Sequence, residues 1–506
     1  MKKITRAIAA SAILVALMSS CASTKNVEKA PKAKTEKSAK ADKKEKAEKP
    51  AKEEKAKSEK AAKPAKVKKV KFDQAAYNAA FEAGDYATCL GMISSKNNQN
   101  DMIKDHLDAD MLMYLLQDYT GSGKGFLETY GEMQQVSSSM TAGDVMKAAL
   151  ISETSVKYTG AEYERYLAWS MRLANAMNLG QADVAKGIMK DYTGTFMAEI
   201  QALRQKNKEL AEQSEKNLES DEYKNAQKAL SAVGGNFNFG SKPTSKNETY
   251  ENSPFFNYLG TLAFAMNNDF DHAADFASLN KVANVNEVVK VPAGKGRLEV
   301  IALSGTIGKR SDSAENKEAE GVIINVAGRT IPLFTKVAYP VFKPQNHLIN
   351  KVEISLSDGT VSNASVIEDF DKAVAIDVDQ KAGPAYSRSV FRNIVKNSAA
   401  AASIIAAGEG LKKAEGNPIA LKAADLAFNK AVDVAAVAVV EAEKADTRQG
   451  ECFPNKANAA GFSVAPGTYT VTIKYLNGNN VVETKTIENV VVNEGKVSVA
   501  VSSCEK

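Results

Sequence analysis

The stretch 351-KVEISLSDGTVSNASVI-367 places Val352, Ile354 and Leu356 on one side of an extended chain and runs into Asp358-Gly359. Alternation of period two marks a strand with one buried face, and Asp-Gly between such runs is a strong hairpin signal. Three neighbours share the pattern: GRLEVIAL at 296–303, EGVIINVAGRTI at 320–331 and KVAYPVF at 336–342. Near the C-terminus, 465-APGTYTVTIKYLNGNN-480 alternates Tyr469, Val471, Ile473 and Tyr475 before Asn477-Gly478, and 488-ENVVVNEGKVSVAVSS-503 closes with Val497, Val499 and Val501. Short polar turns between such strands suit a small sandwich.

Upstream the period changes. From about Phe72 to Asn280 the apolar residues recur at helical spacing, as in Tyr163, Tyr166, Leu167, Ser170, Leu173, Ala174 and Met177. Phe255, Tyr258, Leu259, Leu262, Ala263 and Met266 repeat that face. Each such helix meets a polar turn and a second Ala-rich helix; the turns read AGDYATCL at Ala83, LGQADVAK at Leu179 and NNDFDHAA at Asn267. Helix pairs with small residues at their approach follow the logic of tetratricopeptide-like units. The turns lie 96 and 88 residues apart, which predicts an irregular array and not a regular one. A polar insert at 206–247 separates the later pairs, with GGNFNFGSKPTSKNE as a loop. Residues 381–445 return to an Ala-rich helical pattern broken at EGNP, a helical hairpin inserted in the β region and packed on its sheet. The expected fold is therefore α+β: an irregular tetratricopeptide-like helical domain (72–285), then a sandwich-like β domain in two parts (286–380 and 446–506) flanking the hairpin.

The first 71 residues are of another kind. Lys2, Lys3 and Arg6 precede a short apolar run ending at Met18-Ser19-Ser20-Cys21. That run is too short to span a bilayer, which needs about 20 apolar residues, and it reads as an export signal over 1–20. The junction resembles the bacterial lipobox, with Met18 where Leu, Val or Ile is usual. The resemblance implies acylation of Cys21 and a membrane anchor, and Ala22 after it resembles the outer-membrane default. Residues 21–71 form a Lys/Ala/Glu tether with too little apolar content to fold. The chain's net charge of +5 hides an asymmetry: the tether carries +11 and the signal +3, which leaves residues 72–506 at −9. An acidic body argues against nucleic acid as a partner.

Few residues point to chemistry. His106, His272 and His347 stand in no metal-ligating spacing, no CxxC or Cys/His cluster suggests a metal, and no cofactor is implied. GSGKG at 121–125 lacks the phosphate-loop spacing and reads as a loop between helices. SGTIGKR at 304–310 reads as a turn between strands, with backbone amides able to cradle an anion as the alternative. Asp108 and Asp110 read as carboxylates at a helix start. Cys452 and Cys504 bracket one β module, so a disulfide closing it is expected; Cys89 reads as a small buried residue. Asp446 and Arg448 are candidates for an ion pair or a binding spot where the hairpin re-enters the sheet.

Four segments in order resemble an uncharacterised family of bacterial envelope lipoproteins with a tetratricopeptide-like N-terminal half and a β-rich C-terminal half. They are 158-YTGAEYERYLAWSMRLANAMNLGQADVA-185, 252-NSPFFNYLGTLAFAMNNDFDHAA-274, 386-YSRSVFRNIVKNS-398 and 445-ADTRQGECFPNKANAAGFSVAPGTYTV-471. Gly84-Asp85 and Asp446-Thr447-Arg448 match the family's turn and its ADTR element. Gly180-Gln181 departs from that turn, and a Pro and a Trp usual in the family are missing from SGTIGKR and ADTRQGECFP. The resemblance implies architecture and compartment but no activity. The expectation is a non-enzymatic, lipid-anchored envelope scaffold facing the periplasm, with an envelope protein as partner and no small-molecule substrate. The alternative is a periplasmic peptidoglycan- or carbohydrate-acting enzyme or ligand-binding protein.

Overall fold

Twelve helices precede the first strand in the described chain. A computed structural model describes residues 72–96, 98–280, 285–315, 319–440 and 443–506. The expected signal peptide, Cys21 and the tether lie outside the described residues. The helices are α1 (Gln74–Glu82), α2 (Tyr86–Ser94), α3 (Met102–Leu115), α4 (Tyr119–Ser139), α5 (Ala142–Leu150), α6 (Glu162–Asn178), α7 (Ala182–Asp191), α8 (Met197–Glu219), α9 (Asp221–Ser231), α10 (Pro254–Ala265), α11 (Phe270–Ser278) and α12 (Val285–Val288). A five-residue π-helical turn, Tyr192–Phe196, joins α7 to α8.

Four turns between consecutive helices share one geometry. A residue at positive φ (Gly84, Gln117, Gly180, Asn268) is followed by Asp85, Asp118, Gln181 or Asp269 with φ near −85° and ψ near 68°. At each, the last helix closes with a 6→1 and a 5→2 amide bond, such as Asp85 N to Ala80 O and Gly84 N to Phe81 O. Three of these turns are legible in the sequence; the fourth, Gln117-Asp118, is not, because neither glycine nor asparagine marks its positive φ. The loop expected at 121–125 is corrected: GSGKG is the first two turns of α4, and Asp118 caps it through Gly121 N. Glycine is required there by packing, since a Cβ on Gly125 would stand 2.0 Å from Asp110 Oδ1 of α3. Asp108 and Asp110 are likewise not at a helix start but buried in the middle of α3. The polar insert is partly helical, because α8 and α9 run through 206–231.

The strands are β1 (Gly296–Ser304), β2 (Lys309–Asp312), β3 (Glu320–Val326), β4 (Arg329–Thr335), β5 (Pro340–Lys343), β6 (Lys351–Leu356), β7 (Val361–Asn363), β8 (Ser365–Asp369), β9 (Lys456–Val464), β10 (Gly467–Asn477), β11 (Asn480–Val492) and β12 (Val497–Cys504). One four-stranded sheet has the order β12-β1-β9-β8, with β1 parallel to β12 and antiparallel to β9; the other has the order β11-β10-β6-β7. They pack face to face through Leu298 and Val300 of β1, Val352 and Ile354 of β6, and Val471 and Ile473 of β10. The opposite face of the first sheet carries Ile301, Leu303, Val497 and Val501 into the core of the helices. The result is three layers, helices on sheet on sheet, and all nine residues of β1 are buried.

The hairpin comprises α13 (Phe370–Lys413) and α14 (Pro418–Val440), broken at Gly416 as expected. It starts 11 residues before the expected 381 because Asp369 at the end of β8 caps it directly. Its first turns, through Phe370, Ala373, Val374 and Val378, join the core that the first sheet shares with the helices, and the rest packs elsewhere. Ile394, Ile404, Leu411 and Phe428 form a separate core with Leu230 of α9 and with Ile324, Ile331 and Leu333 of the β3–β4 ribbon.

The expected disulfide is also corrected. Cys452 and Cys504 are free and buried, in different cores on opposite faces of the first sheet. Cys452 Sγ lies 3.2 Å from the Tyr77 hydroxyl, and Cys504 Sγ lies 3.8 Å from Glu483 Oε2. Cys89 is fully buried, as its helical pattern implied.

Candidate functional site

The connection from α5 to α6, the inner face of α8 and the first half of α13 enclose a cavity of about 590 Å³. Apolar side chains, among them Val145, Leu203 and Ala211, line part of it. The rest is built from four guanidinium–carboxylate pairs. Arg204 of α8 holds Glu162 of α6 through Nε at 3.1 and 3.0 Å, and also donates to the carbonyls of Tyr250 and Glu251. Arg310 of β2 donates to Asp377 of α13 at 2.5 Å and to the Arg448 carbonyl at 2.9 Å. Arg388 of α13 reaches both oxygens of Glu153, at 2.7 and 3.1 Å. Arg448 donates to Asp446 at 2.8 and 2.9 Å and to the carbonyls of Asn100, Glu153 and Val156.

The sequence pointed to one of these pairs. Asp446 and Arg448 form an ion pair, and Arg448 also ties the ADTR segment to the α5–α6 connection. The remaining six partners were missed, since they are spread over the α5–α6 connection, α6, α8, β2 and α13 and nothing in the linear spacing unites them. The available signal was the high polarity of YSRSVFRNIVKNS inside a helix with apolar neighbours: Ser387, Ser389, Arg392, Asn393 and Asn397 are all fully buried. Behind the cavity wall Arg392 and Lys396 converge on Glu443, at 3.0 and 3.1 Å.

Local fields set the protonation of these groups. Burial pushes the Glu153 carboxyl up, but Arg388 and Arg392 beside it more than offset that and hold it below the usual carboxylate range. Asp446 is held low in the same way, with Arg448 overcoming its burial. Burial wins at Glu162, whose carboxyl is pushed up despite Arg204. Each of the cavity's two buried tyrosines has a guanidinium over one ring face: Arg310 stands 5.6 Å over Tyr163 and Arg448 stands 5.3 Å over Tyr158.

No histidine or cysteine lines the cavity. His106 pairs with Glu132, His272 with Asp269, and His347 lies 3.4 Å from Asp371. SGTIGKR is the turn between β1 and β2. One of its amides does cradle an anion, an internal one: Gly308 N donates to the Asp371 carboxylate at 2.6 Å. Among the described residues no group of three or more His, Cys, Asp or Glu side chains is placed to hold a metal ion, and no helix is long and apolar enough to cross a membrane. The cavity therefore offers fixed charges and hydrogen-bonding groups, among them the Tyr158 hydroxyl, which donates to Glu164 at 2.5 Å. Comparison with protein-family models, with curated proteins and with solved structures finds no match for this chain.

Proposed function

We propose that this protein is a non-catalytic scaffold or regulator of the cell envelope, anchored by lipid at Cys21, with the cavity between α8 and α13 as its binding site. One observation carries the reading. The carboxylates of Glu153, Glu162, Asp377 and Asp446 are each already held by a guanidinium, so the wall is set for recognition and not for proton transfer. A general acid or base has to exchange a proton with its substrate at the working pH, and a bidentate arginine partner opposes that. The helical half supports the same reading as an irregular tetratricopeptide-like array. Four turns of one geometry punctuate its helix pairs, and the first two, at Gly84 and Gln117, stand 33 residues apart, close to the 34 of that repeat. In this reading the Lys-rich segment is a spacer between an outer-membrane anchor and a body facing the periplasm, where an envelope protein is the partner.

Two experiments test it. Cys21→Ser abolishes acyl labelling and releases the chain from membranes; labelling that persists sinks the anchor. Crosslinking in intact envelopes recovers a partner protein with the wild type and loses it with Ala211→Trp, which fills the cavity. Recovery of no specific partner with either chain sinks the scaffold.

A second reading, a peptidoglycan- or carbohydrate-acting enzyme, is favoured by two carboxylates on one cavity, Glu162 and Asp377, the first with a raised carboxyl. Paired carboxylates are the machinery of glycoside hydrolysis. Under that reading Glu162→Gln abolishes release of soluble sugars from purified cell wall; absence of release by the wild type removes it.

A further inference from the structure

We infer that the cavity receives a short peptide segment ending in a free carboxylate. The inference rests on the reading of this cavity as a binding site and names its ligand class. Four observations lead to it, each about what the wall offers once its internal pairs are set aside.

The first is charge. The cavity is lined by seven Lys or Arg and six Asp or Glu side chains, which leaves it close to neutral within a body of −9. Such a site neither steers nor concentrates a polyanion or a polycation. The second is the rim. Lys157 and Lys208 line the cavity, are exposed and make no ion pair among the described residues, while the exposed carboxylate of Glu251 is also without one. Free charges of both signs at one mouth match a ligand that carries both.

The third is in α13. Pro384 lies inside this helix and has no N–H, so the carbonyl of Gln380, one turn earlier, loses its ordinary donor. Both residues line the cavity, so the break in the helix's hydrogen-bond ladder falls at its wall. The fourth separates peptide from saccharide. Sugar rings are commonly held against open aromatic faces, and of the three tyrosines on the wall Tyr158 and Tyr163 each carry a guanidinium over one face while Tyr250 packs T-shaped against Tyr166. Val145, Leu203, Leu210 and Ala211 offer apolar surface to aliphatic side chains instead. A cavity of about 590 Å³ lies within the usual range for ligands of a few residues, roughly 300–1,000 Å³.

Free peptides and the C-terminus of a partner protein share this chemistry, and the test distinguishes them. The full chain is incubated with three pools of randomised tetrapeptides, one free at both ends, one N-acetylated and one C-amidated, and retained peptides are counted by mass spectrometry. Chitotetraose and polyglutamate are the comparison probes. The free pool is retained at least tenfold above the level seen with Ala211→Trp, and C-amidation removes the excess. Lys157→Glu combined with Lys208→Glu, both on the exposed rim, lowers retention of the free pool tenfold without changing the circular dichroism. Retention of the N-acetylated pool equal to that of the free pool identifies a partner's C-terminus as the source; loss with either cap identifies free peptides. Retention of none of the pools, equal retention of all three, preference for chitotetraose or polyglutamate, or retention unchanged in the rim variant overturns the inference. The scaffold reading fails separately: peptides retained with no crosslinked partner leave the ligand class standing and remove the scaffold, whereas a partner lost in Ala211→Trp with no peptide retained does the reverse.

Discussion

The sheet β12-β1-β9-β8 is buried on both faces, and the two faces are held by different physics. Toward the second sheet it presents Leu298, Val300, Ala302, Phe462 and Val464, an apolar surface closed by Ile354, Val471 and Ile473. Toward the helices the same strands present Arg297 and Glu299 beside Ile301 and Leu303. Arg297 Nε donates to Glu299 at 2.6 Å, and the Tyr258 hydroxyl of α10 donates to the other carboxylate oxygen at 2.5 Å. The helix-side seam uses further buried carboxylates as acceptors for main-chain amides. Glu368 of β8 accepts from Phe255 N, Ser253 Oγ and Tyr250 Oη. Asp108 of α3 accepts from the amides of Glu451 and Cys452, and Glu164 of α6 accepts from Gly450 N. One face depends on apolar area, which is indifferent to pH. The other depends on charge, which is geometrically specific and costly to leave unpaired.

The largest break in this comparison comes from removing one partner of a buried pair. Arg297→Met leaves Glu299 buried with only the Tyr258 hydroxyl, and the expected loss is about 3–5 kcal/mol in denaturant unfolding. Arg297→Met combined with Glu299→Leu recovers much of it, since a packed apolar pair replaces a charged one at little net cost. If the double variant is as unstable as the single, the seam is held by packing around the pair and not by its charge. On the other face, Ile473→Ala opens a cavity in the sandwich and costs about 2–5 kcal/mol with no recovery partner. A loss below about 1 kcal/mol would mean that the two sheets close over the gap.

Proton linkage separates the faces next. Burial pushes Glu368 up to about 7 from its ordinary 4.5, and Asp108 and Asp110 up to about 6 and about 7. An acid whose folded value is raised binds more protons folded than unfolded, so stability falls as pH rises between the two values. For Glu368 that window runs from 4.5 to about 7, with a slope of at most about 1.4 kcal/mol per pH unit for one proton. Glu153 and Asp446 run the opposite way: their folded values are depressed, so the stability they add is present above their unfolded values and lost only as pH falls through the folded ones. Chemical denaturation of the wild type therefore shows stability falling between pH 5 and 7. Glu368→Gln flattens that fall by one proton's worth, and Ile473→Ala leaves it unchanged. A Glu368→Gln profile parallel to the wild type would assign the linkage to the other carboxyls that burial pushes up, Asp108, Asp110, Glu162, Glu299 and Glu505.

The same contrast explains what the sequence made legible. Hairpin strands such as 351–356 alternate cleanly because one face meets the apolar sandwich and the other meets solvent. GRLEVIAL could be read as a strand, yet its Arg297 and Glu299 look like an exposed face and are buried under the helices. Gly461 carries the matching signal, since a Cβ there would stand 2.0 Å from Arg297 Nη2 and 2.2 Å from Glu299 Oε1. Nothing in the linear order relates residue 461 to residues 297 and 299 before the register of β1 on β9 is known. The cavity was illegible for the same reason, because its four arginines come from α8, β2, α13 and the ADTR segment. Amphipathic spacing reports a core locally, whereas a charge pair between distant elements leaves no period to detect. Cysteine spacing misled because Cys452 and Cys504 do bracket one module but point to opposite sides of one sheet.

The smallest expected effect concerns the four helix turns, which lie away from both seams. Their backbone geometry is common to all, but their capping chemistry is not. The Asp85 side chain accepts from Thr88 N at 3.1 Å, and Asp118 accepts from Gly121 N at 2.9 Å. Gln181 and Asp269 make no such bond, and Asp269 is instead held by Lys186 and His272. Loss of a capping oxygen leaves one amide of the first helical turn without its partner, a cost of about 1 kcal/mol. Asp85→Ala is therefore expected to lower stability by about 1 kcal/mol, and Gln181→Ala to leave it within about 0.5 kcal/mol. Gly84→Ala separates cap from conformation. Its φ is +75° and no atom lies within 4 Å of the added Cβ, so its cost is the left-handed strain alone, about 1–2 kcal/mol. If Gln181→Ala costs as much as Asp85→Ala, the turns are held by their main-chain 6→1 and 5→2 bonds together with the packing of the flanking helices, and the aspartates at two of them are incidental to the fold.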